Sequence, residues 1–212
     1  MSTIIVTGTD TGIGKTVVAA MLTLALEGVY WKPVQSGTVD GTDAATVATL
    51  TGLGPERFIL ERYQLREPLS PHLAAEIDGI EIDPHTLELP ARTEGRRLLI
   101  VEAAGGLMVP LTRRVLYIDV MQRWGVPVVL CAPTRLGCIN HALLSLEALR
   151  TRNIPLLGVV FIGDEAADSE RTICAFTSAR RLGRLPRLKS LTPETLQAAF
   201  DAGFLREDFP TR

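Results

Sequence analysis

Gly8-Thr9-Asp10-Thr11-Gly12-Ile13-Gly14-Lys15-Thr16 is the stretch on which the fold of this 212-residue chain turns. Before it, Thr3 to Thr7 (TIIVT) is a short apolar run of the kind that forms a buried parallel strand. After it, Lys15 to Glu27 (KTVVAAMLTLALE) has no Pro or Gly and is apolar on most sides, as suits a helix buried against a sheet, and Gly28 stops it. Glycines between a strand and a helix let the backbone turn its N–H groups inward around phosphate oxygens, and the helix N-terminus adds a partial positive charge. An ordinary glycine-rich turn needs no Lys-Thr after its last glycine. The G-x5-G-K-T spacing is one residue longer than the usual phosphate loop, and in such a loop Lys15 reaches the β- and γ-phosphates while the Thr16 hydroxyl ligates Mg²⁺.

Further along the chain the pattern repeats. Val29 to Val34 is strand-like but broken by Pro33, the stretch Gln35 to Thr42 is polar, and Asp43 to Leu53 has a helical pattern. Arg97 to Val101, Val126 to Ala132 and Leu156 to Ile162 predict three more strands, and Asn140 to Arg152 an apolar helix. Thr192-Pro193-Glu194 opens a last amphipathic helix up to Ala202, with an N-cap threonine and a proline at the first helical position. Positions 54–95, with five prolines, resist assignment. Apolar strands alternating with helices predict an α/β fold, a parallel sheet covered on both faces, as a single domain over residues 1–212.

Composition narrows the function. At 46% hydrophobic and 22% charged, the chain has mass for a core and is not disordered. A net charge of −2 gives no general attraction to nucleic acid or acidic lipid. No apolar run nears the roughly 20 residues that span a bilayer, and Met1 to Gly8 has neither the basic region nor the cleavage site of a signal peptide. Cys131, Cys138 and Cys174 lack metal-ligand spacing, and a reducing cytoplasm suits them. His72, His85 and His141 sit in unrelated contexts, which argues against zinc. The run Arg180, Arg181, Arg184 and Arg187 has no interleaved aromatics to form a nucleic-acid groove.

Of 22 basic residues only Lys15, Lys32 and Lys189 are lysines. A chain that otherwise uses Arg and keeps Lys at 15 and 32 points to a need for a compact ammonium there. Lys32, in Trp31-Lys32-Pro33-Val34-Gln35-Ser36-Gly37, is costly to bury without an anion; the alternative is an edge-strand lysine reaching solvent. Glu102 follows the third predicted strand directly, where a carboxylate can hold Mg²⁺ on a triphosphate or simply face solvent. Asp43, taken alone, reads better as the N-cap of the helix after it than as a ligand. Cys138 reads as a small buried residue.

Taken in order, these segments resemble the dethiobiotin synthetase family. Gly8-Thr9-Asp10-Thr11 with Gly14-Lys15-Thr16 is similar to that family's long phosphate loop, Lys32-Pro33-Val34-Gln35-Ser36-Gly37 to its K-P-V-x-[ST]-G, Val101-Glu102-Ala103-Ala104-Gly105-Gly106 to its V-E-G-A-G-G, and Leu136-Gly137-Cys138-Ile139-Asn140-His141 to its L-G-x-[IL]-N-H; Ser70-Pro71-His72 also has a counterpart. The resemblance implies a P-loop NTPase fold and an ATP-dependent ligase that takes 7,8-diaminononanoate and CO2 or bicarbonate to dethiobiotin in biotin synthesis. It implies that Lys15, Lys32 and Thr11 act on the carbamate and the transferring phosphoryl group. Thr16, Asp43 and Glu102 are implied as Mg²⁺ ligands. The nucleotide would lie against Gly12, Ile13, Gly14, Lys15, Thr16 and Val17, against Ala103, Ala104 and Gly105, and with its base against Pro186, Arg187 and Leu188. Ser36 would meet the carbamate, and the turn Gly137, Cys138, Ile139, Asn140 the substrate carboxylate, across a homodimer interface.

Three departures carry expectations. Gly12 stands where the family often has an acid. Ala103 replaces a glycine, which requires an ordinary negative φ there or strain. Gly163, in Ile162-Gly163-Asp164, replaces an asparagine that reads adenine, so CTP or GTP is expected to be turned over comparably to ATP. Two other readings fit less of the sequence. A cobyrinic acid a,c-diamide synthetase type of ligase usually carries an amidotransferase domain that this chain is too short to hold, and a partitioning-type ATPase switch normally has a second lysine early in the loop, where Thr9 stands here.

Overall fold

Alternation of side chains along one strand divides the core. In β1 (Thr3–Gly8), Ile4 and Val6 point to one face of the sheet and Ile5 to the other, and all three are fully buried. A computed structural model describes residues 2–39, 41–91 and 97–210. The elements after β1 are α1 (Lys15–Ala25), β2 (Val29–Trp31), β3 (Val34–Ser36), α2 (Asp43–Thr51), β4 (Phe58–Ile59), β5 (Tyr63–Leu65) and α3 (Pro71–Asp78). Then come β6 (Leu99–Gly106), α4 (Tyr117–Trp124), β7 (Val128–Pro133), α5 (Cys138–Thr151), β8 (Leu156–Ile162), α6 (Ala167–Thr177), β9 (Arg181–Leu185) and α7 (Pro193–Gly203).

Seven strands form one parallel sheet in the order β4-β2-β6-β1-β7-β8-β9, so the chain begins in the middle and builds to both edges. On one face, Val18 and Leu22 of α1 and Phe200 of α7 pack over Ile4, Val6 and Ile100. On the other, Tyr117, Ile118 and Met121 of α4 pack over Ile5, Leu99 and Val101. A smaller cluster joins Leu130 and Phe161 to α5 and α6. Truncating a fully buried leucine such as Leu22 to Ala in this setting costs about 2–5 kcal/mol. Among the described residues no helix is long and apolar enough to cross a membrane.

The structure corrects several boundaries. Val29 to Val34 is not one strand: β2 ends at Trp31, and β3 leaves the main sheet to pair with β5 in a two-stranded ribbon. Pro33 causes the break, because it has no N–H to continue the ladder; its carbonyl instead accepts from Arg62 N (2.8 Å) and Tyr63 N (3.0 Å), which starts the ribbon. Lys32 therefore stands between strands, and it is buried rather than reaching solvent from an edge. The first helix ends at Ala25, with Glu27 turned into the left-handed region at φ 51°. The third predicted strand runs on through Gly106, paired with β1. Ala103 lies inside that strand and is not among the positive-φ residues, so the lost glycine leaves no strain. The N-cap of α2 is Thr42, whose side chain accepts from Ala45 N (3.1 Å), and not Asp43. Positions 54–91 hold β4, β5, α3 and two single-turn 3₁₀ helices, and the rest of the unassigned stretch, 92–95, lies outside the described residues. Sequence patterning also missed α4, α6 and β9.

Candidate active site

The loop after β1 is shaped for close approach. Gly12 and Gly14 take φ of 69° and 99°, which glycine adopts without steric cost. A Cβ on Gly8 would lie 2.7 Å from Ile13 Cδ1 and 2.9 Å from Lys15 Cδ. Gly14 caps α1 with no side-chain hydrogen bond, and the first turn of α1 carries no acid, so the positive end of the helix is uncompensated. Within the loop, Lys15 Nζ donates to the Asp10 carbonyl at 2.7 Å, and Asp10 is held from outside by Arg135 at 3.1 Å.

Four residues that are distant in the chain meet below this loop. Thr16 Oγ1 lies 2.8 Å from Glu102 Oε1 and 3.3 Å from Asp43 Oδ1. Lys32 Nζ sits between the same two carboxylates, in contact with Asp43 and 3.3 Å from Glu102 Oε1. Glu102 is only 1% exposed, and its Oε2 accepts from the Tyr30 hydroxyl at 2.8 Å. Gln35 links the parts: its Oε1 accepts from Asp43 N (3.0 Å), while its Nε2 donates to the carbonyls of Ser36 (2.9 Å) and Gly37 (3.3 Å).

The two lysines are shifted in opposite directions. Burial pushes the Lys15 ammonium below the ordinary lysine value, and the charge of Lys32 adds to that, against partial opposition from the nearby acids. Burial also pulls Lys32 down, but Glu102 and Asp43 outweigh it and hold its ammonium above the usual range. Tyr30 is held well above the usual phenol range, first by burial and then by Glu102, and so stays a donor. Burial pushes the Cys131 thiol up to about 12, which rules it out as a thiolate at neutral pH.

A cavity of about 570 Å³ collects Lys15, Lys32, Thr16, Asp43, Glu102 and Ser36, together with Thr11, Gly12, Gly14, Ala104 and Gly105. Pro68, Leu69, Ser70 and Pro71 form its far wall. The Ser36 hydroxyl is buried with no hydrogen-bond partner among the described residues. Ile13 and Ala103 point into the core, leaving only their backbones for a ligand, while Val17 packs half-buried against it. The remaining predicted contacts lie elsewhere. Gly137, at φ 93°, caps α5 just before Cys138 and Ile139, and Asn140 lines a separate groove of about 760 Å³ with Leu144 and Phe176. Pro186 borders a hollow beside α7, Arg187 pairs with Asp164 at 3.5 Å, and Leu188 packs half-buried on the core.

Among the described residues no three His, Cys, Asp or Glu side chains gather into a metal cage. Two carboxylates and a threonine hydroxyl do converge, and that donor set fits Mg²⁺, which takes one or two carboxylates and completes its shell with water and phosphate oxygens. Tyr30 and Gln35 were not among the expected site residues. Tyr30 stands two residues before Lys32, and that spacing was the available signal. For Gln35, nothing local marks it out.

Residues 2–195 match the family described as "AAA domain". The ATP-dependent dethiobiotin synthetase BioD of Rhodopseudomonas palustris (strain TIE-1) is 61% identical over 97% of this chain and 96% of its own length. Its namesake from Nitrobacter hamburgensis is 57% identical over 99% of this chain and 98% of its own length. Among solved structures, the Pyrococcus furiosus cell division ATPase MinD overlays with a TM-score of 0.52 at 12% identity, covering 95% of this chain and 98% of that one. A ParA family ATPase from Chlorobium tepidum gives 0.51 at 11% identity over 95% and 91%. These last two share the fold, whereas the first two match nearly from end to end at more than half of all positions, and on that ground the chain belongs to the ATP-dependent dethiobiotin synthetase family.

Proposed function

We propose that this protein is a ligase of biotin biosynthesis that joins 7,8-diaminononanoate and CO2 into dethiobiotin at the expense of ATP. The observation that carries the reading is the lining of one cavity by two ammonium groups, a phosphate loop at a helix N-terminus, and a Thr-Asp-Glu donor set.

An amine of the substrate adds to CO2 and loses a proton, giving a carbamate. A carbamate oxygen attacks the γ-phosphorus and ADP leaves, giving a mixed carbamic–phosphoric anhydride. The second amine then attacks the carbonyl carbon, closing the five-membered urea ring and expelling phosphate. Phosphoryl transfer of this kind depends on position and positive charge more than on a covalent nucleophile. Lys15 leaves the Asp10 carbonyl for the phosphate oxygens, and the amides at the start of α1 bind the same chain of phosphates. Lys32 faces the transferred group from the opposite wall, with Thr11 beside it, and the free Ser36 hydroxyl has the carbamate as its partner. Thr16, Asp43 and Glu102 are the residues that would hold Mg²⁺, whose charge neutralises the phosphate oxygens.

Gly163 stands where the resemblance implies an adenine-reading asparagine and offers no amide side chain; it takes φ 124°, and a Cβ there would come 2.5 Å from Thr134 Oγ1. CTP and GTP are accordingly turned over at rates comparable to ATP; a strict ATP preference in initial rates rejects this. The groove beside Asn140 supports a homodimer, with Leu144 (63% exposed) and Phe176 (78% exposed) as apolar contacts and the Gly137–Asn140 turn meeting the substrate carboxylate. Three free cysteines suit a cytoplasmic location. The deciding experiment measures phosphate release from ATP with bicarbonate, with and without 7,8-diaminononanoate, and looks by mass spectrometry for the ring-closed product. Phosphate release that ignores the diamine, with no such product, refutes the activity.

A further inference from the structure

Glu102 divides its two oxygens between two tasks. Oε1 takes Thr16 at 2.8 Å and Lys32 at 3.3 Å, both of which line the cavity. Among the described residues Oε2 takes only the Tyr30 hydroxyl, at 2.8 Å. The sheet enforces this division. Tyr30 is in register with Ile100 across the parallel pair of β2 and β6, and Glu102 is two residues beyond Ile100, so the phenol and the carboxylate are diagonal neighbours on one face. The Tyr30 ring is fully buried, with the Phe58 ring 6.1 Å from it.

We infer that Tyr30 is a positioning residue that makes Glu102 a one-oxygen ligand and thereby sets the site for Mg²⁺ against Ca²⁺. Mg²⁺ requires near-octahedral coordination and takes carboxylates through single oxygens, whereas Ca²⁺ accepts six to eight ligands and favours bidentate carboxylates. A carboxylate whose second oxygen is already occupied by a buried phenol cannot turn to offer both. The inference rests on the Mg²⁺ reading given above for Thr16, Asp43 and Glu102.

The test uses the full protein with the non-hydrolysable β,γ-imido analogue of ATP, titrated calorimetrically with MgCl2 or with CaCl2. For the wild type, binding is expected to tighten with metal, at a lower midpoint for Mg²⁺ than for Ca²⁺. Tyr30→Phe keeps the ring and removes the hydroxyl. It is expected to raise the Mg²⁺ midpoint about 10-fold, the low end for loss of an outer hydrogen bond to a metal ligand. The Ca²⁺ midpoint is expected to stay or fall, and metal-free binding to stay unchanged. Tyr63→Phe removes a hydroxyl that meets Thr86 Oγ1 at 2.9 Å, outside the cavity, and serves as control, leaving both midpoints in place. An unchanged Mg²⁺ to Ca²⁺ ratio in Tyr30→Phe overturns the inference. Equal midpoints in the wild type overturn it without any variant, should Tyr30→Phe not fold. Binding that ignores metal altogether in the wild type refutes the underlying Mg²⁺ reading instead, and the inference with it.

Discussion

Lys15 and Lys32 share a cavity but not an environment. Lys15 is buried against a backbone carbonyl and its pKa falls below the ordinary 10.5, while the carboxylates around Lys32 raise its own above that value. Both ammonium groups aim at the same phosphoryl group in the proposed reaction. Replacing either with Ala is expected to raise the barrier by about 3 kcal/mol or more, as loss of an electrostatic donor does; single-turnover rates at saturating substrates measure it, and wild-type turnover would remove that lysine from the mechanism. The shifts also fix the direction of a pH effect. Deprotonation removes the positive charge, so activity falls as pH rises through the depressed Lys15 pKa while Lys32 remains charged. The alkaline limb of kcat/KM, which reports the free enzyme, is therefore expected below pH 10.5, and a limb at or above that pH contradicts the assignment to Lys15. Both lysines stood out in the sequence because arginine dominates elsewhere. That Lys32 meets Asp43 and Glu102 depends on which strands lie side by side, and no local pattern carries that.

Elements place these groups through their ends. The Thr42 cap starts α2 one residue before Asp43, so the cap and the carboxylate are linked. Thr42→Ala should lower stability by about 1 kcal/mol and weaken metal-dependent nucleotide binding as well, whereas the exposed neighbour Thr46→Ala should leave that binding unchanged; urea denaturation and calorimetry separate the two effects. At the end of β6, Gly105 takes φ 63°, and a Cβ there would lie 2.7 Å from Val109 Cγ2 and 3.2 Å from Thr11 Oγ1. Gly105→Ala should therefore cost about 1–2 kcal/mol for the left-handed backbone alone, with further loss of kcat as Thr11 is displaced. A variant as stable and active as wild type would show that the turn can be rebuilt. The continuous apolar run Leu156–Ile162 announced its strand with bounds that the structure keeps, while Val126 to Ala132 announced a strand that runs from Val128 to Pro133. The arginine-bearing β9 did not, because its charges are met by partners from elsewhere: Arg181 and Arg184 both pair with Glu170 of α6, at 2.8 and 3.3 Å.

For the molecule as a whole, the proposed homodimer makes a separate prediction. Leu144 is exposed at the groove beside Asn140, so Leu144→Glu adds charge at the surface without opening the core. Sedimentation is expected to show monomer in place of dimer, with a raised KM for the diamine and a melting temperature that varies with protein concentration only in the wild type. A wild-type chain that sediments as a monomer contradicts the assembly. The phosphate loop, the parallel class of the sheet and the family resemblance were all determined by sequence, because each is written in contiguous residues: glycines that free the backbone, a lysine and threonine at a helix start, apolar runs flanked by turns. Only the tertiary structure decided that β3 leaves the sheet, that Tyr30 holds the far oxygen of Glu102, and that Thr16, Lys32, Asp43 and Glu102 surround one cavity. Those contacts arise from a strand order that differs from chain order, and side chains across neighbouring strands interact through register, which no linear pattern encodes.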